Sequence, residues 1–476
     1  MKKYIFVAII CTVQLGIQTK LFSQSTNIEA LSWLPDNDRI SAGAILVPEN
    51  HNEPDGKKIQ ITYVIIKGQD NEKSNFPMTI FTGGPGGNTI SEGIVNFLLK
   101  HPYTKERDVI LFDQRGIGYS SALPDMAFDS FKIMAKNANE DEELVLNAEM
   151  IETYQKKCAE MDIDPRHYNS MQSAQDVAML FNHLGYKKYN LYGSSYGTRL
   201  ARIVQDTYPE YVNSSVLDSP DPITGDFLLD RLDSYSEALN KIFDYCKSTP
   251  ECNKTYPKLK DEYFEGIARL RNNPIKTVVN DSIDFFINAQ DGVYLLRRLL
   301  YRGDAKEKSP ELIRAFAEGK GNVIKEIVEF EYMFTGILNL SMLISVERTE
   351  NFLVNTTDEM IDNTYKSYPL IPTKMGFFDA FYRAGQKWHT NTLPMEDRYF
   401  KQSSVPTLIF VNKFDPVTPP ENGHIFMKTL ENGTLLILDE GGHGSGNADC
   451  KDAVMINFMD NPNQKIDTTC LNLVKD

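Results

Sequence analysis

Apolar and polar positions change rhythm several times along this chain. Ala44 to Val47 and Ile59 to Ile66 alternate or run apolar, and Glu53-Pro54-Asp55-Gly56 lies between them. This predicts two early strands joined by a turn. Pro77-Met-Thr-Ile-Phe-Thr82 and Val109 to Phe112 are short apolar runs, the pattern of buried strands. A long helical stretch follows, in which Ala174 to Leu184 is amphipathic at the helical period. Tyr189 to Tyr192 then reads as a strand, Gly193 to Gly197 as a sharp turn, Thr198 to Thr207 as a helix, and Ser214 to Leu217 as the next strand. Strands that alternate with helices predict a mostly parallel sheet covered on both faces.

From about Phe227 to Phe400 the rhythm is largely helical, apart from Lys276 to Phe286. Sheet patterns return at Val405 to Val411 and at Thr434 to Leu438. A helical insertion between two sheet segments predicts a cap. The expected organisation is a signal peptide over 1–24, a first core segment over 25–226, a helical cap over 227–400 and a second core segment over 401–476.

Composition narrows the function classes. The 476 residues are 41% hydrophobic and 24% charged, as in an ordinary folded protein. A net charge of -15 argues against nucleic acid or anionic membrane as partners, since both require a basic face. The acidic surface reads as a solubility feature, with attraction of cationic substrates as the alternative. Lys2 and Lys3 precede an apolar stretch, Tyr4 to Ile17, too short to span a bilayer, and Phe22-Ser23-Gln24 offers a cleavage site before Ser25. This predicts export to the periplasm or the exterior. Ile10 stands before Cys11 where a lipoprotein signal needs a small residue, so no membrane anchor is expected. Cys246 and Cys252 flank a Ser-Thr-Pro turn, which predicts a local disulfide, and Cys158 is expected to be a buried free thiol.

The chemistry centres on Gly193-Ser194-Ser195-Tyr196-Gly197, a G-x-S-x-G pentapeptide. A nucleophilic serine needs this spacing because it sits on a strained strand-to-helix turn, and the context here is a strand before and a helix after. Asp415 follows the strand Thr407 to Val411, and His443 follows the next strand in Gly441-Gly-His-Gly444. Ser, then Asp, then His is the chain order of the α/β-hydrolase fold. His443 would take the serine proton and Asp415 would fix its tautomer. Asp439 is the rival acid and His424 the rival base. Gly83-Gly84-Pro85-Gly86-Gly87 follows a strand and can bring a backbone N–H to an oxyanion. Gly84 is the preferred donor, with Tyr196 as the second. No HExxH or paired CxxC is present, so no metal or cofactor is expected.

Gly83-Gly-Pro-Gly-Gly87, Asp113-Gln-Arg-Gly-Ile-Gly-Tyr-Ser120, Gly193-Ser-Ser-Tyr-Gly-Thr198 and Asp415-Pro-Val-Thr-Pro419 together resemble the proline iminopeptidase family. Within it, the chain is most similar to the secreted tripeptidyl-aminopeptidase-like branch. The resemblance runs from about residue 40 to the C-terminus. It implies a serine exopeptidase that removes residues from peptide N-termini, with Gly83 to Gly87 as the oxyanion loop and Cys450 paired with Cys470. The chain departs from the family at Ser194, where glutamate is usual. It departs again at Arg348 and at Gly385, upstream of Trp388, where the branch often carries cysteines.

The resemblance also places an amine-binding glutamate at Glu350, with Glu347 as the nearest substitute. The expected partners are short peptides with a free N-terminus. An esterase or other acyl hydrolase could use the same triad, because fold does not fix function. A non-catalytic binding protein on the same scaffold is the remaining alternative.

Overall fold

A computed structural model describes residues 29–70, 76–223, 226–352, 356–394, 398–439, 441–444 and 448–474. The expected signal peptide and Cys11 lie outside the described residues. Ten strands run in chain order: β1 (Ile40–Pro48), β2 (Lys58–Ile66), β3 (Met78–Phe81), β4 (Val109–Phe112), β5 (Tyr189–Ser194), β6 (Val212–Asp218), β7 (Ile275–Val279), β8 (Ile283–Ile287), β9 (Thr407–Asn412) and β10 (Gly433–Leu438).

Eight of them form one sheet in the order β1-β2-β4-β3-β5-β6-β9-β10. β1 and β2 form an antiparallel hairpin, and β2 runs antiparallel to β4. Every later neighbour pair is parallel. Every residue of β4 and of β9 is buried. Helices on both faces explain why these strands read as continuous apolar runs rather than alternations. The chain thus has the α/β-hydrolase fold expected from its sequence rhythm.

Between β6 and β9 the described chain is mostly helical. Helices Phe227–Ser248, Leu259–Asn272, Ala289–Leu299, Ala305–Glu318, Asn322–Thr335 and Leu340–Glu350 are followed by shorter ones at Asp358–Lys366 and Gly376–Gly385. β7 and β8 form a separate antiparallel hairpin, in register Ile275 with Ile287. It occupies the one stretch that the sequence sets apart from helix. Leu232, Leu239, Val293, Leu296 and Ile327 of these helices share one buried cluster. Phe131 and Met134, from helix Ala127–Met134, join the same cluster although they precede β5 in the chain. No periodicity announces that partnership, because it depends on how distant helices meet.

Cys246 is bonded to Cys252 and Cys450 to Cys470, while Cys158 is a buried free thiol that burial pushes up to about 11. No helix among the described residues is long and apolar enough to cross a membrane.

Candidate active site

Ser195 sits between β5 and helix Tyr196–Thr207 with φ 55°, a backbone region that a non-glycine residue occupies at a cost of about 1–3 kcal/mol. The flanking glycines make that turn possible. A side chain at Gly193 would lie 2.5 Å from the Gly197 carbonyl oxygen, and one at Gly197 would lie 1.9 Å from that of Phe81. The turn is pinned at both ends. Ser195 N–H donates to the Asp218 carbonyl at 2.9 Å, and Thr198 N–H donates to the Ser195 carbonyl at 2.8 Å. Ser195 therefore stands at the positive end of a twelve-residue helix.

Asp415 and His443 come together at the ends of β9 and β10. His443 Nδ1 lies 2.7 Å from Asp415 Oδ2. The carboxylate also accepts from Val417 N–H at 2.8 Å, from Thr418 N–H at 2.9 Å and from Thr418 Oγ1 at 2.8 Å. These contacts explain the Asp-Pro-Val-Thr run: its backbone folds over its own carboxylate. Burial pushes the Asp415 carboxyl up, but the imidazole and these donors outweigh it and hold the group below the usual range. Burial pushes His443 down, and the Asp415 charge and hydrogen bond outweigh that and raise it. His443 is held from three sides. Its N–H donates to the Tyr301 carbonyl at 2.9 Å, Gly444 N–H donates to Ser219 Oγ at 3.0 Å, and Asn412 Nδ2 donates to the Gly442 carbonyl at 2.9 Å.

The rivals lie elsewhere. Asp439 is half-exposed and paired with Lys413 at 2.9 Å, and His424 is exposed on helix Pro420–Met427.

Ser195, His443, Gly83 and Gly84 line one cavity of about 380 Å³, a size suited to a small organic ligand. Gly83 packs directly beside Ser195, such that a side chain there would lie 2.8 Å from the serine Cβ. The loop is positioned by Asp113, the first residue of the Asp-Gln-Arg-Gly motif. Its Oδ1 accepts from Thr89 N–H at 2.8 Å and Ile90 N–H at 3.0 Å, and its Oδ2 accepts from Tyr119 N–H at 2.8 Å. Burial pushes Asp113 up to about 6, against the pull of those donors. Arg115 of the same motif is fully buried and binds both oxygens of Asp176, at 2.7 and 2.6 Å. The Tyr196 ring points into the core, its hydroxyl 3.0 Å from Gln114 Nε2 and 2.8 Å from Ser170 Oγ.

The helical stretch between β6 and β9 lines the cavity with Phe227, Phe334, Phe377, Phe378, Leu338 and Leu343. Charged groups interrupt this apolar wall. Glu350, the expected amine reader, is not among the lining residues. It is fully buried behind the wall, accepting from Ser170 N–H at 2.8 Å and Ser170 Oγ at 3.0 Å, and pairing with Arg199 at 3.0 Å. Glu347, one helical turn earlier, lines the cavity instead. Its Oε2 accepts from Asn351 Nδ2 at 2.6 Å, while its Oε1 has no hydrogen bond among the described residues and lies 3.5 Å from Arg199. Burial pushes Glu347 up, and the opposing pull of Arg199 and Arg231 leaves it raised.

Arg231, Arg297, Arg298 and Tyr301 also line the cavity, and none was singled out from the sequence. The signal was present in Tyr294-Leu-Leu-Arg-Arg-Leu-Leu-Tyr301, where two arginines interrupt an apolar helix. The Tyr301 ring meets His443 edge-on, with centroids 5.3 Å apart. Burial raises its phenol, but Arg297, Arg298, His443 and Arg231 outweigh this and bring it down to about 8.

Comparison with known proteins bears on the fold. Residues 77–287 match the α/β-hydrolase fold model, and residues 377–470 match that of the TAP-like protein family. Ser195 falls in the first segment, and Asp415 and His443 in the second. The chain is 24% identical to YuaR of Escherichia coli (strain K12), named as a hydrolase, over 82% of this chain and 79% of that one. It is 26% and 25% identical to the tripeptidyl aminopeptidases of Streptomyces lividans and Streptomyces coelicolor, in each case over 38% of this chain and 35% of the relative. The chain thus aligns with about a third of the length of those two peptidases. Among solved structures, the proline iminopeptidase of Mycobacterium smegmatis aligns with 88% of this chain and 98% of its own, at 14% identity and a TM-score of 0.40. Sheet order, the serine turn and the two model matches make this chain an α/β-hydrolase-fold protein with a TAP-like C-terminal segment.

Proposed function

We propose that this protein is an exported serine exopeptidase that cleaves short peptides near their N-terminus through an acyl-enzyme on Ser195. The observation that carries the reading is His443, 2.7 Å from the buried Asp415 carboxylate and lining the same cavity as Ser195. In this reading His443 Nε2 takes the Ser195 proton as Oγ attacks the scissile carbonyl carbon. Asp415 holds the opposite nitrogen protonated and stabilises the imidazolium. The developing oxyanion is met by the N–H groups of Gly84 and Tyr196, with the helix dipole adding to both. The imidazolium returns its proton to the leaving amine. Water then repeats the sequence on the acyl-enzyme and frees Ser195.

Exopeptidase specificity needs a closed end and an acceptor for the α-ammonium. The aromatic cap wall supplies the first. For the second, Glu347 is favoured over Glu350, because it lines the cavity with a carboxylate oxygen that lacks a hydrogen bond. The likeness to tripeptidyl aminopeptidases supports the peptide reading, and two disulfides fit an oxidising compartment.

Tri-alanyl arylamide, its N-acetyl form and a simple acyl ester separate the readings. The exopeptidase account expects rapid cleavage of the first and weak cleavage of the second. Fast ester turnover with no amide cleavage would replace it with the esterase reading.

A further inference from the structure

The charges around the cavity do not all find partners. Arg298 Nε is 2.5 Å from Glu331 Oε2, and its Nη2 donates to the Tyr294 hydroxyl at 2.9 Å. Arg199 is shared among Asp221 at 2.6 Å, Glu350 at 3.0 Å and Glu347 at 3.5 Å. Arg231 lies 3.8 Å from Asp221. Arg297 is different. It is only 2% exposed and lines the cavity, and among the described residues no carboxylate lies within ion-pair distance of it. Among the described residues its one polar contact is a 3.3 Å hydrogen bond from Nη1 to the Tyr301 hydroxyl. Its Nε and Nη2 are buried without any hydrogen-bond partner among the described residues. The guanidinium is flanked by the rings of Tyr301 and Phe378, at 5.5 and 5.4 Å.

A buried guanidinium with two idle donors is costly, because nothing repays the loss of water from those donors. Arginine presents its donors as a planar fork that matches a carboxylate in two-point fashion. The idle fork is Nε with Nη2, the side from which a bidentate carboxylate is commonly bound. We infer that Arg297 forms a subsite for a carboxylate of the substrate, so that the preferred substrates are short peptides carrying a free carboxylate as well as a free amine. This deepens the exopeptidase reading and rests on it. Helix Leu340–Glu350 brings Glu347, with one oxygen free of hydrogen bonds, to the same cavity. The cavity is thus lined by an acid with one oxygen free of hydrogen bonds, although it shares Arg199, and by a base with no ion-pair partner among the described residues, each on its own helix. The lowered phenol of Tyr301 is a further sign of excess positive field beside Arg297.

The carboxylate could be the peptide C-terminus or an acidic side chain. Four substrates separate these sources: tri- and tetra-alanine as free acids, the same peptides as C-terminal amides, and amidated peptides with one Asp or one Glu. Wild-type kcat/KM should be at least about tenfold higher for one carboxylate-bearing form than for the plain amide, as expected for a charge-assisted bidentate contact. Preference for the free acid names the C-terminus, and preference for the Asp or Glu amide names the side chain. In Arg297→Met the acid-to-amide ratio should fall to near one, and Arg297→Lys should retain part of it. Equal wild-type turnover of all forms, or a preference that survives in Arg297→Met, overturns the subsite. If wild type cleaves no peptide, the exopeptidase reading has failed separately. Calorimetric titration of Ser195→Ala with tri-alanine, its amide and the amidated Asp and Glu peptides then decides the subsite alone. Tighter binding of either carboxylate-bearing form than of the plain amide supports it, and equal binding of all forms overturns it.

Discussion

Asp415 and Arg297 are both 2% exposed, yet their surroundings are opposites. Asp415, at the edge of the sheet, has His443 and three further donors on its two oxygens. Arg297, on the cap wall, has one long hydrogen bond and two idle nitrogens. The same contrast separates Glu350, saturated behind the wall, from Glu347, half-satisfied on it. Satisfied buried charges hold a fixed geometry, which proton transfer requires. Unsatisfied ones wait for a partner, which recognition requires. In the proposed function, the carboxyl ends of β9 and β10 serve as the reaction centre and the helical wall of the cavity serves as the reader.

That contrast can be broken by mutation, and the largest effects should lie on the sheet edge. Ser195→Ala and His443→Ala should each lower kcat by about four orders of magnitude or more, with thermal unfolding little changed. Because the two act as a unit, the double variant should be no worse than either single one. Asp415→Asn should cost about 10⁴-fold in kcat, while Asp439→Asn, whose side chain meets Lys413 at the surface, should leave steady-state rates near wild type. Equal losses from the two aspartates would move the acid.

Smaller effects should separate the two glutamates. Glu347→Gln should raise KM for free-amine peptides by about 10- to 100-fold and affect N-acetylated peptides less. Glu350→Gln should instead lower stability, by about 1–3 kcal/mol in denaturant titration, since it removes a charge that balances buried Arg199. If Glu350→Gln selectively impaired free-amine peptides, the reader would be Glu350 after all.

The smallest effect concerns pH. His443 must be neutral to act as a base, and its raised pKa places loss of activity above the pH at which an ordinary histidine would protonate. As pH falls through that raised value, kcat/KM should decline. Asp415 is held below its usual range, so it stays ionised across this window. In Asp415→Asn the residual activity should persist to lower pH, because the charge that raises the imidazole is gone. An acid limb that did not move would uncouple the pair.

How much of this was legible in the sequence follows the same division. The strands around Ser195, Asp415 and His443 are encoded locally, by apolar runs that end in glycine turns. Their chemistry sits in motifs a few residues long. The cap offers no such locality. Glu347 and Glu350 are one helical turn apart, and which of them lines the cavity depends on how helix Leu340–Glu350 rotates against its neighbours. Arg297 was not singled out in the sequence, because the missing acid partner is a fact of tertiary packing. Helix Ala127–Met134 joins that helical cluster for the same reason: Phe131 meets the rings of Phe285 and Tyr332, far along the chain.

In the proposed mechanism His443 activates Ser195 for acyl transfer. A fluorophosphonate probe followed by peptide mass spectrometry tests it most directly. The account predicts a single phosphonyl adduct on Ser195 that forms rapidly in wild type and is abolished or slowed by orders of magnitude in His443→Ala. No adduct, an adduct on another serine, or equal labelling of Ser195 in both proteins would contradict it.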